Sequence, residues 1–244
     1  MVAISISTTS QKQNYLFFPY CNAATDKIPF LKPTSPAKPA EHPKLKRTST
    51  YISQQKQLFL QQLMKPIFLI GYMGSGKTTL GKALAKEMNV QFIDLDHYIE
   101  CRFHKQISKI FADSGEQTFR DIERRMLHEV ACFDDVVVAC GGGTPCQPGN
   151  MDEMNHYGTT VYLTVGIDRL VQRLSLPGAK AKRPLIAGKS DAELHDFICQ
   201  ALASRAQWYE KASIHFDSTD IETAHTTTLR AQELKQLLIE RHLA

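Results

Sequence analysis

The chain has 244 residues, of which 43% are hydrophobic and 22% are charged, a composition typical of a globular protein with one sizeable core. No apolar run approaches the ~20 residues of a membrane-spanning helix, so we expect no membrane protein. The net charge of +4 comes from residues 1–65, which carry +7 (nine Lys and Arg against two acids), whereas the remainder carries −3. Because the excess positive charge lies in the terminal segment alone, we expect no nucleic-acid partner.

Residues 1–64 are rich in Ser, Thr, Pro, Lys and Gln, with five prolines between positions 29 and 43. Such a segment buries too little apolar surface to fold, so we expect a disordered basic extension. Three alternatives stay open: an over-long start with Met64 as the true first residue, an organelle-targeting segment, and a regulatory tail. Residues 54–64 are compatible with a short helix. The six cysteines lack paired or zinc-type spacing, which indicates a cytoplasmic protein, with organelle targeting as the alternative.

Residues 65–244 alternate short apolar runs with helical patterns. This alternation predicts an α/β fold of three layers, α/β/α, around a five-stranded parallel sheet. We expect strands near residues 66–70, 91–94, 135–139, 159–164 and 213–217. We expect helices near residues 77–88, 95–103, 106–112, 116–132, 148–155, 167–175, 191–210 and 226–242.

Residues 71–78 fit the pattern G-x-x-x-x-G-K-[ST] of a phosphate-binding loop, between an apolar strand and a helical pattern. In this pattern, backbone N–H groups and the helix N-terminus bind anionic phosphate. Lys77 reaches the β- and γ-phosphates, and the Thr78 hydroxyl ligates Mg²⁺. A Gly-rich turn with a chance lysine is the competing interpretation, and the strand–loop–helix context argues against it.

Two further features follow strands, at the edge of the sheet where α/β folds bind ligands. Asp94 and Asp96 end the second strand, where carboxylates can hold a Mg²⁺ water or accept a proton from an attacking hydroxyl. Helix N-capping explains Asp96 alone equally well. Three glycines at 141–143 follow the third strand and let backbone N–H groups approach a ligand, although a flexible turn also explains them.

Two arginines are candidates for binding an anion. Arg120 lies early in the predicted amphipathic helix 116–132, and considered alone it is better explained as a solvent-exposed helix residue. Arg183 follows the Gly- and Lys-containing stretch 177–182, which suits a mobile lid that brings a cation to the phosphates.

Together these motifs resemble the shikimate kinase family, which is part of the nucleoside-monophosphate-kinase-like group of P-loop folds. The resemblance covers about residues 66–217 and rests on GYMGSGKTTLGKALA, FIDLD, IFADSGEQTFRDIE, the triple-glycine turn, RPLI and Arg205-Ala-Gln-Trp-Tyr209. It implies transfer of the γ-phosphate of ATP to the 3-hydroxyl of shikimate, with Mg²⁺ as cofactor, in the biosynthesis of aromatic amino acids. Its partners would be these two small molecules, and we expect a monomer.

The resemblance further implies a role for each matching residue. Asp96 is the catalytic base, assisted by Lys77 and Arg183, and Thr78 with Asp94 holds the metal. The nucleotide-binding residues are Gly74, Ser75, Gly76, Lys77, Thr78, Thr79, Arg173 and Arg183. The shikimate-binding residues are Asp96, Phe119, Arg120, Glu123, Gly142, Gly143 and Arg205, with Arg120 and Arg205 on the carboxylate.

Two positions depart from the family pattern, and two other activities remain alternatives. His104 stands where the family often has glycine, and the loop 217–222 lacks the arginine often found near adenine. A related small-molecule kinase, such as a gluconate kinase, is the nearest alternative. A non-kinase P-loop NTPase is less well supported, because residues 188–191 lack the asparagine of a guanine-binding motif and no acid ends the strand 135–139.

Overall fold

The structure, a computed structural model, describes residues 64–181 and 183–243. The expected extension and the short helix at its end therefore lie outside the described residues, apart from Met64. The strands are β1 (Ile67–Ile70), β2 (Gln91–Asp94), β3 (Val136–Ala139), β4 (Thr159–Thr164) and β5 (Ile214–Asp217). The helices are α1 (Lys77–Met88), α2 (Leu95–Phe103), α3 (Ile107–Ala131), α4 (Asn150–Tyr157), α5 (Ile167–Ser175), α6 (Pro177–Ala181), α7 (Asp191–Tyr209) and α8 (Ala224–Leu243). Short 3₁₀ turns cover Thr144–Cys146 and Pro184–Ile186.

The strands form one parallel sheet in the order β2-β3-β1-β4-β5, which confirms the predicted five-stranded sheet. Strand β1 is central: Phe68 lies opposite Val138 of β3 and Thr160 of β4. All neighbouring strands run parallel, so each connection crosses over through a helix. The carboxyl ends of the strands consequently meet at one edge of the sheet.

Successive residues of β1 point to opposite faces of the sheet, and both faces are buried. Phe68 and Ile70 join one core with α2, α3 and α4, whereas Ile67 and Leu69 join the other with α1 and α8. This explains why the strand sequence is apolar throughout rather than alternating. No helix in residues 64–181 and 183–243 is long and apolar enough to cross a membrane.

A third, smaller apolar cluster lies beside the phosphate-binding loop. It joins Tyr72 of the loop to α5, to the 3₁₀ turn at Pro184–Ile186 and to α7, through Leu170, Leu174, Ile186, Leu194 and Ile198. The segment expected to form the lid is therefore anchored on one side by the buried Ile186.

The helices differ from the prediction in several places. The two helices expected near 106–112 and 116–132 follow each other without a loop, because Gly115 alone interrupts the helical backbone at φ 77° and ψ 172°. Helix α4 begins at Asn150 rather than near 148, since Gly149 precedes it with φ 83°. Helix α6 forms within the expected lid, with Pro177 as its first residue, a position where the missing proline N–H is not needed.

His104 ends α2 in the left-handed conformation, with φ 49° and ψ 37°. Glycine is the usual residue in this conformation because a Cβ atom crowds the backbone there. The turn thus has the geometry that a glycine would give.

Candidate active site

The phosphate-binding loop leaves β1 at the carboxyl edge of the sheet and leads into α1. The Lys77 amino group donates hydrogen bonds to the carbonyls of Gly71 (2.8 Å) and Tyr72 (2.9 Å), so the lysine spans its own loop. Burial lowers the pKa of Lys77 to about 8, against the opposing attraction of Asp96 and Asp94. A bound phosphate would act in the opposite direction to burial, raising this pKa and favouring the charged amine.

The loop is held in place by Arg173 of α5 and by residues that follow β5. Arg173 donates hydrogen bonds to the carbonyls of Gly74 (3.0 Å) and Thr219 (2.7 Å), which links the loop to this segment. Ser218 donates to the carbonyl of Ser75 at 2.8 Å. Arg173 was predicted from the sequence and Ser218 was not, although the place of Ser218 directly after a strand was a usable signal.

Thr78 and Asp94 present two oxygen donors side by side. The Thr78 hydroxyl donates to Asp94 Oδ2 at 2.9 Å, and Asp94 Oδ1 also caps α2 by accepting from the His97 N–H at 3.4 Å. Hard oxygen ligands in this number fit Mg²⁺, which keeps several waters and takes further oxygens from phosphate. Within residues 64–181 and 183–243, no group of three or more His, Cys, Asp or Glu side chains forms a larger metal site.

Asp96 lies in the first turn of α2 and faces the cleft. Burial raises its pKa to about 6, and the neighbouring carboxylates of Asp94 and Glu123 act in the same direction, whereas Lys77 opposes them. A carboxylate whose pKa is near the working pH is well suited to accept a proton from an attacking hydroxyl.

The triple-glycine turn provides room for charged groups from three directions. A Cβ atom on Gly141 would lie 3.0 Å from Asp96 Oδ1, and one on Gly142 would lie 3.3 Å from Arg205 Nη1. A Cβ atom on Gly143 would lie 3.3 Å from both terminal nitrogens of Arg120. The turn therefore brings together Asp96 and the two arginines, and this close approach explains why glycine occupies all three positions.

Arg120 is held by carboxylates and by an aromatic ring. Its guanidinium donates to Glu123 at 2.9 Å and to Glu116 at 3.2 Å, and it lies 5.3 Å from the centre of the Phe119 ring. Burial alone would lower the pKa of Arg120, but the hydrogen bonds to the two glutamates raise it. Glu123 is buried and also accepts from the Thr144 hydroxyl at 2.5 Å. This network fixes the arginine beside the glycine turn.

A cavity of about 640 Å³ joins the loop, the strand ends and the lid. Of the residues predicted from sequence, those lining the cavity are Gly74, Gly76, Lys77, Thr78, Thr79, Asp94, Asp96, Gly142, Arg173 and Arg183. Arg183 comes from the lid, where it donates to the Ala179 carbonyl at 3.0 Å. The others lie outside the lining. Ser75 is buried within the loop, and Arg120, Glu123 and Arg205 surround the glycine turn that includes Gly143. Phe119 lies beside Arg120.

Several lining or supporting residues were not predicted. Ile221 and Glu222 line the cavity from the loop 217–222, which carries no arginine. Tyr209 donates to the Gly142 carbonyl at 2.7 Å. Tyr209 ends the motif Arg205-Ala-Gln-Trp-Tyr209, which was a usable signal, whereas nothing in the local sequence marks Ile221 as facing a ligand.

Comparison with known proteins identifies the family. A sequence model of the shikimate kinase family matches residues 73–238. The shikimate kinase of Parabacteroides distasonis is 54% identical over 160 residues, 66% of this chain and 91% of its own length. That of Phocaeicola vulgatus is 53% identical over 175 residues, 72% of this chain and 99% of its own length.

Solved structures agree with this assignment. The crystal structure of shikimate kinase from Bacteroides thetaiotaomicron has a TM-score of 0.66 and 49% identity, covering 72% of this chain and 98% of its own. The shikimate kinase of Acinetobacter baumannii, solved in complex with shikimate, has a TM-score of 0.65 and 29% identity. The match covers 77% of this chain and 99% of that chain. With its phosphate-binding loop and parallel sheet, this chain belongs to the shikimate kinase family of ATP-dependent kinases.

Proposed function

We propose that this protein transfers the γ-phosphate of ATP to the 3-hydroxyl of shikimate, with Mg²⁺ as cofactor. The observation that carries the proposal is the glycine turn at 141–143. It places an acid, Asp96, and two arginines next to the cavity that the phosphate-binding loop also lines. A kinase of a small hydroxy acid needs these groups together: a phosphate cradle, a base for the hydroxyl, and cations for the carboxylate.

On the nucleotide side, the loop residues Gly74–Thr79 bind the phosphates through backbone N–H groups and Lys77. Arg173 acts from behind by fixing the carbonyl of Gly74, and Arg183 brings a cation from the lid. Thr78 and Asp94 would hold Mg²⁺, which neutralises charge on the phosphate oxygens when it is bound.

At the reacting hydroxyl, Asp96 accepts the proton as the oxygen attacks the γ-phosphorus. Lys77 and Arg183 offset the negative charge on the transferring group, since phosphoryl transfer depends mainly on positioning and electrostatic stabilisation. On the acid side, Arg120 and Arg205 bind the carboxylate and the Gly142–Gly143 backbone contacts the ring hydroxyls, while Glu123 and Phe119 hold Arg120 in place.

An ADP-release assay with alternative acceptors tests the proposed substrate. Shikimate should support turnover, whereas gluconate and a nucleoside monophosphate at the same concentration should support little. A shikimate analogue with a neutral amide in place of the carboxylate should be a poor acceptor, because a neutral group cannot replace a carboxylate between two guanidinium groups. Comparable turnover with gluconate or with the amide would contradict the proposal.

We further propose that residues 65–244 act as a monomeric, cytoplasmic catalytic domain and that residues 1–64 are a dispensable basic extension. The support is that curated relatives match over 72% of this chain while covering 99% of their own length. Deleting residues 1–63 should leave turnover, thermal stability and a monomeric elution volume unchanged. Loss of turnover or of solubility would give the extension a role.

A further inference from the structure

Tyr72, the second residue of the phosphate-binding loop, has a side chain to which the proposed reaction assigns no role. Its backbone carbonyl accepts hydrogen bonds from the Lys77 amino group at 2.9 Å and the Ser75 N–H at 3.2 Å. Its side chain leaves the loop in another direction and is 1% exposed. The side chain therefore serves something other than phosphate binding.

The Tyr72 ring faces Arg205. The central guanidinium carbon lies 5.4 Å from the ring centre, a distance at which a cation is attracted to an aromatic face. The guanidinium also donates to the Gly142 carbonyl, at the long distance of 3.4 Å. The ring thus supports the guanidinium at the edge of the glycine turn.

Arg205 differs from Arg120 in its partners. Arg120 forms ion pairs with Glu123 and Glu116, whereas in the described part of the chain no carboxylate lies within ion-pair distance of Arg205. An aromatic face orients a guanidinium without neutralising it. Arg205 can therefore offer an uncompensated charge to a carboxylate.

The ring itself is immobilised by apolar packing. Leu170 and Leu174 of α5, Ile186 of the 3₁₀ turn, and Leu194 and Ile198 of α7 belong to the same buried cluster. The Tyr72 hydroxyl is buried and has no hydrogen-bond partner among the described residues. Because an unpaired buried hydroxyl costs stability, the ring face rather than the hydroxyl accounts for the position.

We propose that Tyr72 is a positioning residue for the acid substrate: its ring holds the guanidinium of Arg205 ready for the shikimate carboxylate. This inference rests on the proposed role of Arg205. It assigns to one residue of the phosphate-binding loop a part in binding the second substrate.

Kinetics of Tyr72→Leu test the proposal. This change keeps an apolar side chain but removes the aromatic face, so KM for shikimate should rise about three- to tenfold. The kcat and the KM for ATP should stay within about twofold of wild type, because the lost contact concerns binding of the acid alone. Tyr72→Phe keeps the ring and should keep the wild-type KM for shikimate.

Phe68→Leu is the matched control, since it makes a similar change at another fully buried aromatic residue, in the core of β1. It should lower Tm without changing KM for shikimate, as a purely structural loss would. If Tyr72→Leu folds poorly, Tyr72→Met fills the same space with a flexible side chain. The ratio of kcat/KM for shikimate to that for its amide analogue does not depend on the amount of folded enzyme. This ratio should be lower in Tyr72→Met than in wild type, and an unchanged ratio would contradict the proposal.

The Arg205→Ala background separates this inference from the proposed function. There, Tyr72→Leu should change KM for shikimate no further, because the contact is already absent. If Arg205→Ala raises this KM but Tyr72→Leu does not, or if Tyr72→Leu acts equally in both backgrounds, the inference alone is wrong. If Arg205→Ala leaves the KM unchanged, the carboxylate is bound elsewhere and both proposals are wrong.

Discussion

The nucleotide side and the acid side of the cavity use different parts of the chain. The nucleotide side is mostly backbone: carbonyls of the loop hold Lys77, and Arg173 and Ser218 bind loop carbonyls from behind. The acid side is mostly side chains, which the glycine turn brings close together. A backbone site recognises what all nucleoside triphosphates share, and a side-chain site recognises one acceptor. Changes on the first side should therefore abolish turnover, whereas changes on the second should alter substrate preference.

The largest effect is expected for Lys77→Met. Its amino group is the cation inside the loop, and we expect phosphoryl transfer to become undetectable with every acceptor. An ADP-release assay measures the turnover of the variant, and calorimetry measures its affinity for the nucleotide. Lys82→Met, on the same helix, is the control and should behave as wild type. Appreciable turnover by Lys77→Met would mean that the loop holds the γ-phosphate without its lysine.

Asp96 lies between the nucleotide side and the acid side of the cavity, and Asp96→Asn tests its role. If Asp96 accepts the proton, kcat should fall by roughly 10²–10⁴, while nucleotide affinity should change little. In the wild type, the pKa of about 6 means that Asp96 is ionised above this pH and protonated below it. The kcat/KM for shikimate should consequently decline as pH falls through about 6, since a protonated acid cannot accept the proton.

The pH profile of Asp96→Asn provides the control for this assignment. Its residual kcat/KM should lose the decline near pH 6, because the titrating group is gone. A decline that persists in the variant would assign the titration to another group. A normal kcat at pH 7.5 would show that positioning without a base suffices.

On the acid side, Arg120→Ala and Arg205→Ala should each raise KM for shikimate by about tenfold or more, as expected for a lost charge-assisted hydrogen bond of ~1.5–3 kcal/mol. Lysine at either position should rescue little, because a point charge does not reproduce the planar fork of arginine. The KM for ATP should hardly change.

Discrimination against the amide analogue of shikimate sharpens this comparison. Wild type should discriminate strongly, and both alanine variants much less. Arg124→Ala, on the same helix as Arg120 and bonded to the Pro148 carbonyl, is the control and should discriminate as wild type does. Equal discrimination by wild type and by Arg120→Ala would place the carboxylate away from Arg120.

The smallest effect concerns a residue outside both sides. His104→Gly should stabilise the fold by up to ~1 kcal/mol, because glycine adopts the left-handed conformation at the end of α2 without a Cβ penalty. The gain is limited by the greater freedom of glycine in the unfolded chain. Chemical denaturation measures it, with kcat unchanged. A loss of stability would show that the histidine side chain makes a compensating contact.

The two sides also differ in how far the sequence alone predicted them. The loop at 71–78 was predicted because its function depends on backbone geometry, which local glycines and a strand–helix context encode. Arg120 had to be inferred from the resemblance, since an arginine on a helix is ordinarily solvated. The contact between Tyr72 and Arg205 joins residues 133 positions apart, so no local pattern could reveal it.

The same reasoning applies to the fold. Continuous apolar runs predicted β1 and β3, which are buried on both faces of the sheet. The edge strands β2 and β5 are only partly buried and were predicted from their place between helical patterns. The short helix α6 was missed, because a polar stretch with Gly178 is typical of a loop and none of its residues is buried to give a hydrophobic pattern. The sequence predicted a loop between two helices, whereas Gly115 alone interrupts the helical backbone there. A single residue with φ 77° does not change the hydrophobic pattern, so the pattern could not reveal it.

The triple-glycine turn has a genetic consequence. Every missense change at Gly141, Gly142 or Gly143 adds at least a Cβ atom, and each Cβ would press on a different functional group: Asp96, Arg205 or Arg120. Harmful alleles at these adjacent codons should therefore show two different phenotypes. Alleles at the codon of Gly141 should resemble loss of the base Asp96, whereas alleles at the codons of Gly142 and Gly143 should be rescued by abundant shikimate. A saturation library selected for growth without aromatic amino acids, with and without added shikimate, would display this division codon by codon.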